Sequence, residues 1–262
     1  PGVRVRCPAR AGGSTGRAAV TGTRPGDPRD LAPQYVLPLV VRVERATPPA
    51  RTDALEAAAL AVLTLLTDPR SHGDGDWAGA VTAWTDARIR KVVRRARGAE
   101  WRRAEALDGI TVTRGGAEVR VFPPVPLDGW PRDLARLQVA GTDLTDPRPP
   151  APPAPGLPVL WLNPDLEMTA GKAMAQVGHA AQLGLAALDP ATADRWRAGG
   201  FPLAVRTATR ARWAELLRRD LPVVQDAGFT EVAPGTCTAV AEILTIGGPP
   251  LPEHPRDGGL GA

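Results

Sequence analysis

Residues 168–188, MTAGKAMAQVGHAAQLGLAAL, carry an amine, an amide and an imidazole at helical spacing. At about 100° per residue, Lys172, Gln176 and His179 fall within roughly 60° of one another on one face. Met174, Val177, Ala181, Leu185 and Leu188 gather on the opposite face as a packing stripe. Gly171, Gly178 and Gly184 each cost about 1 kcal/mol of helix stability relative to Ala; close approach of another backbone or a ligand is one reason to keep them. Further on, residues 225–238 read QDAGFTEVAPGTCT. They place Asp226 at a strand end before a glycine turn, with Thr230 and Thr238 after it. A carboxylate at such a strand end suits acid–base chemistry in an open α/β sheet. Lys172 could hold it ionised or donate to an oxyanion, and Gln176, Thr230 and Thr238 could orient a water. Each residue also has a structural alternative. Lys172 could be a solvated first-turn residue, Asp226 could cap the turn that follows it, and His179 could bind a backbone carbonyl.

The elements that would position these groups alternate. Strands are expected at 35–43, 159–163, 203–207, 223–226 and 237–244. Helices are expected at 53–66, 77–97, 168–188 and 209–219. Residues 111–113 and 118–122 flank Gly115-Gly116 as a hairpin, and Pro131 opens a short helix through Leu137. This pattern predicts an α/β fold, a mixed sheet layered with helices. Residues 1–33 are expected to be a disordered tail, 34–145 an N-terminal α/β domain, and 146–156 a stiff Pro-rich linker. Residues 157–246 form the domain with the candidate site, and 247–262 a flexible tail.

The 262-residue chain is 43% hydrophobic, enough for a core, and carries a net charge of +4. A mild basic excess suits a polyanionic partner. Lys91 and Lys172 are its lysines, so arginine supplies nearly every cation, and a lysine at 172 is worth weighing because arginine cannot replace a compact, tunable amine. No Cys/His cluster has metal-ligand spacing, so neither metal nor cofactor is expected. Cys7 lies in the leading tail, and no structural disulfide is expected. No apolar run is long enough to span a membrane and no secretory signal is visible, so a cytoplasmic location is expected.

Taken together, a strand, then Met168-x-x-Gly171-Lys172-x-x-x-Gln176-x-x-His179-Ala180, then Gln225-Asp226-Ala227-Gly228-x-Thr230-x-x-Ala233-Pro234-Gly235-x-x-Thr238, resembles the archaeal/eukaryotic-type peptidyl-tRNA hydrolases. The resemblance covers about a third of the chain, residues 157–244. It implies hydrolysis of the ester between a peptide, or an N-blocked amino acid, and the terminal ribose of tRNA. The implied site is Lys172, Gln176, Asp226, Thr230 and Thr238, with His179 beside it. Family members often carry a basic residue where this chain has Phe229. The competing expectation is a catalytically silent RNA-binding or assembly module that keeps the fold.

The run RIRKVVRRARGAEWRR, residues 88–103, is the densest cluster of cations. Read as a helix, it offers Arg88, Lys91, Arg94, Arg95 and Arg97 to tRNA phosphates. The halves also resemble one another: Leu37-Pro38 echoes Leu157-Pro158, and residues 138–141 echo 225–228. An ungapped alignment sets Thr52, Glu56, Ala59 and Val139 against Lys172, Gln176, His179 and Asp226, so the first copy is expected to be degenerate. Because the resembled family commonly forms dimers of one small domain, an intramolecular pseudo-dimer that is monomeric in solution is expected. Lys172→Arg is expected to lower ester hydrolysis, since a guanidinium needs room and a planar partner; full activity in that variant would place Lys172 on the surface.

Overall fold

The computed structural model describes residues 28–226 and 232–243. The first half runs β1 (Tyr35–Arg42), α1 (Arg51–Thr67), α2 (Ala78–Asp86), β2 (Arg90–Ala96), α3 (Gly98–Glu105), β3 (Ile110–Arg114), β4 (Ala117–Val121), β5 (Val125–Pro126) and α4 (Arg132–Ala135). The second runs β6 (Val159–Leu162), α5 (Ala170–Ala186), α6 (Pro190–Ala198), β7 (Ala204–Thr207), α7 (Arg210–Arg218), β8 (Val223–Gln225) and β9 (Cys237–Glu242). The fold is α/β with two mixed sheets, in strand orders β2-β1-β4-β3 and β7-β6-β9-β8; β5 adds to β1. In each sheet the first two strands are parallel and the others antiparallel. Strand for strand the two orders are the same, so the halves are two related units.

One expectation needs correction. Residues 77–97 are not one helix: α2 ends at Asp86, and the arginine-rich segment becomes β2, parallel to β1 from Val36↔Arg90 to Arg42↔Ala96. The charge spacing suited a helix face, but the β-branched pair Val92-Val93 fits a strand, and an open neighbour on β1 completes its ladder. After α5 ends at Ala186, Asp189-Pro190 starts a further helix, α6. The Asp189 side chain accepts from Thr192 N, and Pro190 takes the first position of α6, where a missing N–H costs nothing.

The largest core joins the inner faces of both sheets to α1 and α5. Leu37, Leu39 and Val41 of β1 and Leu160 and Leu162 of β6 point into it. The outer faces are covered separately. Val40 packs under Trp101 of α3 and Leu134 of α4, and Val240 lies under Trp213 and Leu216 of α7. The contact between α1 and α5 is built from small side chains, with Ala57, Ala58, Ala61, Ala173, Ala180 and Ala181 fully buried. A methyl group at Gly178 would meet Val62 Cγ2 at 3.0 Å, which explains that glycine.

The segment before the proline run is integral to this core. Leu144 is buried in it, Thr145 O accepts from Arg51 N, and the Asp146 carboxylate accepts from Thr52 N and Oγ1, both at 2.8 Å. Asp146 therefore caps α1 from a distance, where Ala50 supplies no side-chain cap. Buried Cys237 is disulfide-bonded, contrary to expectation. Among the described residues no helix is long and apolar enough to cross a membrane.

If α1 and α5 share one core, a fragment beginning at Leu157 exposes an apolar face. It is expected to self-associate or unfold in light scattering and thermal melts, while the full chain stays monomeric. A stable monomeric fragment would show the first half to be an independent appendage.

Candidate active site

Residues before the linker and at the start of α5 fix the position of Lys172. The Thr169 hydroxyl accepts from Lys172 N, Thr142 Oγ1 accepts from Gly171 N at 3.0 Å, and Thr142 O accepts from Ala170 N. Gly171 has no alternative, since a Cβ there would lie 2.9 Å from Thr142 Oγ1. One turn on, the side chains converge. Lys172 Nζ donates to Asp226 Oδ2 at 2.5 Å, and Gln176 Nε2 donates to the same oxygen at 2.9 Å. Thr238 Oγ1 donates to Gln176 Oε1 at 2.5 Å, which fixes which end of the amide faces the carboxylate. The backbone of Asp226 is held too: its N–H donates to Thr236 O, and its carbonyl accepts from Gly235 N.

The cluster is withdrawn from water. Thr238 is 0% exposed, Gln176 3%, Asp226 7% and the Lys172 side chain 12%. A buried carboxylate needs charged and hydrogen-bonding partners to offset its desolvation, and here it has both. The polar face of α5 is thus directed at Asp226 and the first half rather than at solvent.

Thr238 reaches this cluster through a register shift. Val224 pairs with Ala239 and Gln225 with Cys237, so Thr238 is an extra residue in β9. A bulge of this kind puts consecutive side chains on one face. Here it turns the hydroxyl toward α5, although Val240 and Cys237 pack on the outer face.

The first half lacks every part of this arrangement. Helices α1 and α5 are both 17 residues long, and the third, seventh and tenth residues are Asp53, Ala57 and Leu60 against Lys172, Gln176 and His179. The hairpin β3–β4 pairs without a shift: Thr113 opposes Glu118 and Arg114 opposes Ala117. That sets Gly115 level with Asp226. A Cβ on Gly115 would fall 2.3 Å from Asp53 Oδ2, and Asp53 Oδ2 accepts from Gly116 N instead. The ungapped alignment is therefore wrong by one residue along the helix. Val139 is not the counterpart of Asp226; it is 54% exposed beyond α4.

Several residues expected at the site lie elsewhere. Thr230 and Phe229 fall outside the described residues. His179 does not join Asp226; its Nδ1 lies 3.1 Å from Lys91 Nζ. Two cations of the basic run, Arg88 and Lys91, are internal, and the others are part-exposed or exposed. Arg88 is buried and ion-paired to Asp30 at 2.8 Å, and Lys91 is buried in the seam between the halves. Arg94 Nη1 donates to Ala135 O and Leu137 O, with its guanidinium over Trp130, and Arg95 donates to Ala140 O and to Gln138. Arg97 stands at the N-cap of α3 and is part-exposed. Phosphate contacts by Arg88 and Lys91 are excluded by burial. Arg94 and Arg95 instead hold residues 135–140 against β2. No three His, Cys, Asp or Glu side chains converge as a metal cluster among the described residues.

The family model described as Peptidyl-tRNA hydrolase PTH2 matches residues 158–243, from the start of β6 to just past β9. A peptidyl-tRNA hydrolase of Pyrobaculum aerophilum is 41% identical over 88 residues, covering 29% of this chain and 73% of that relative. The chain belongs to the peptidyl-tRNA hydrolase PTH2 family. Within the family match lie all four converging residues, Lys172, Gln176, Asp226 and Thr238, and none of the basic run.

Thr142 and Asn163 escaped sequence reading. Asn163 is 1% exposed; its Nδ2 donates to Cys237 O and its Oδ1 accepts from Asp165 N, tying the end of β6 to the bulged start of β9. A polar residue ending an apolar strand was a visible signal for Asn163. Thr142, separated from Gly171 by the proline run, had none. Arg94→Gln is expected to cost roughly 1–2 kcal/mol of stability through the lost carbonyl bonds. It should leave the salt dependence of tRNA binding unchanged. A flattened salt slope with unaltered stability would return Arg94 to the phosphate-binding surface.

Proposed function

We propose that this chain hydrolyses the ester linking a peptide, or an N-blocked amino acid, to the terminal ribose of tRNA, at a site in its second half. The observation that carries the proposal is the buried relay Thr238→Gln176→Asp226←Lys172. Each donor has an acceptor in it, and the relay ends on one carboxylate whose backbone is pinned. Ester hydrolysis needs an oriented water and a donor for the oxyanion that forms at the carbonyl. In this proposal Asp226 accepts a proton from the water as it attacks, and Gln176 fixes the carboxylate's orientation. Lys172 is the cation near the developing oxyanion, Thr238 holds Gln176 in place, and Thr230 is the further hydroxyl proposed to orient the water. Collapse of the tetrahedral intermediate returns the proton to the ribose oxygen, releasing peptide and tRNA.

The matching sheets support a proposed organisation. Residues 34–145 are a degenerate copy of the domain at 157–246, and the two form an intramolecular pseudo-dimer in which the second alone carries a site. The tRNA body, a polyanion, would meet the chain through Arg97 and neighbouring arginines, with an affinity that falls as salt rises.

Purified full-length protein is expected to release N-blocked amino acid from N-acetyl-aminoacyl-tRNA. Asp226→Asn keeps the shape of the side chain and its place among the donors, and should lower kcat by about a hundredfold or more. Its melting curve should remain cooperative. Wild-type turnover in that variant would remove Asp226 from the mechanism. No release by the wild type, with tRNA still bound, would favour the silent binding module.

A further inference from the structure

The seam between the halves holds a second polar cluster that the relay does not use. Lys91, on β2 of the first half, reaches α5 of the second. Its Nζ lies 3.1 Å from His179 Nδ1, donates to Gln182 Oε1 at 2.6 Å, and sits 4.7 Å from the Trp84 ring centre. Its methylenes lie along Gly178, where a Cβ would meet Lys91 Cδ at 3.3 Å. A lysine nitrogen offers donors, and its three neighbours are an amide oxygen, a ring nitrogen and an aromatic face, all suited to accept. His179 then accepts at Nδ1 and carries its proton on Nε2. That second nitrogen has no partner among the described residues, and the ring is part-exposed.

We propose that Lys91 is a positioning residue supplied by the first half to the site of the second. It holds His179 as the Nε2–H tautomer and turns that N–H, beside Gln176 and Lys172, toward an acceptor oxygen of the bound substrate. His179 stands seven residues beyond Lys172, about 10 Å along the helix axis. Its donor therefore meets a part of the substrate away from the scissile ester. The matching position in α1 is Leu60, so the arrangement exists on one side of the seam only.

The charged groups acting on the imidazole are Lys91, from β2, and Lys172, from its own helix. Burial first, and then these two charges, hold the imidazole well below its ordinary range, and burial lowers the Lys91 amine well below a free lysine. A neutral donor at Nε2 therefore persists at pH values where a free histidine is already protonated.

Two-bond 1H–15N spectra of the full chain test the proposal, with His179→Gln assigning the signal among the three histidines. The expected result is a neutral ring protonated on Nε2 across the range in which free imidazole titrates. In Lys91→Met the tautomers should mix and the titration move up. Lys91→Gln, which keeps a donor, should restore part of the wild-type pattern. A wild-type ring protonated on Nδ1, or a signal indifferent to Lys91, overturns the proposal.

The kinetic arm rests on the proposed hydrolase activity. Lys91→Met and His179→Gln should each lower kcat/KM by roughly five- to tenfold, and the double variant by no more than either alone. Multiplying losses overturn the coupling. An inactive wild type with the expected tautomer would remove the hydrolase proposal and leave the Lys91–His179 pairing standing.

Discussion

The packing of α1 against α5 is the constraint on which the rest of the structure depends. Each half has a four-strand unit with one helix on its inner face, and neither can cover that helix by itself. Placing the two helices between the two sheets gives one continuous core in which both are buried nearly all round. The small side chains at the crossing allow the close approach that this requires, with Gly178 at its tightest point. Burial on all sides also explains why the polar groups of α5 must find partners inside the protein. Lys172 and Gln176 find Asp226, and His179 finds Lys91 across the seam.

Equal topology has led to unequal chemistry through a few local differences. In β9 one extra residue turns Thr238 toward α5, whereas β4 pairs regularly and its Glu118 bonds outward to Arg42. At the strand end Asp226 faces an ammonium; Gly115 at the matching place has no side chain, and Asp53 takes a backbone N–H instead. What the first half retains is structural. Glu56 of α1 is paired to Arg114 in its own half and to Arg206 of β7 in the other, and Asp146 caps α1. The first half thereby holds the seam at two places, through Glu56 on α1 and through Lys91 on β2.

Much of this was legible in the sequence. The α5 face was visible because Lys172, Gln176 and His179 keep a helical period, and the β3–β4 hairpin because Gly115-Gly116 marks its turn. The repeat was legible as a class of pattern but not in its register. The loops before α1 and α5 differ in length, so an ungapped alignment slipped by one residue and set Thr52 rather than Asp53 against Lys172. The β2 segment was misread because its arginines are spaced as on a helix face while its pairing partner, β1, lies far away in sequence. Thr238's orientation was hidden because a bulge is a property of two strands together. The cap that Thr142 gives to Gly171 likewise joins residues on either side of the proline run.

The central claim is that one chain holds two related units and a single loaded site. Its most direct test is a calorimetric titration of the full chain with an amide-linked, non-hydrolysable peptidyl-tRNA analogue, with the mass of the complex measured alongside. The account predicts one analogue bound per chain and one chain per complex, with binding lost when Lys172 and Asp226 are both replaced. Two analogues per chain would mean that the first half keeps a working site, and one analogue per two chains would mean that the site is completed by a second molecule; either would contradict it.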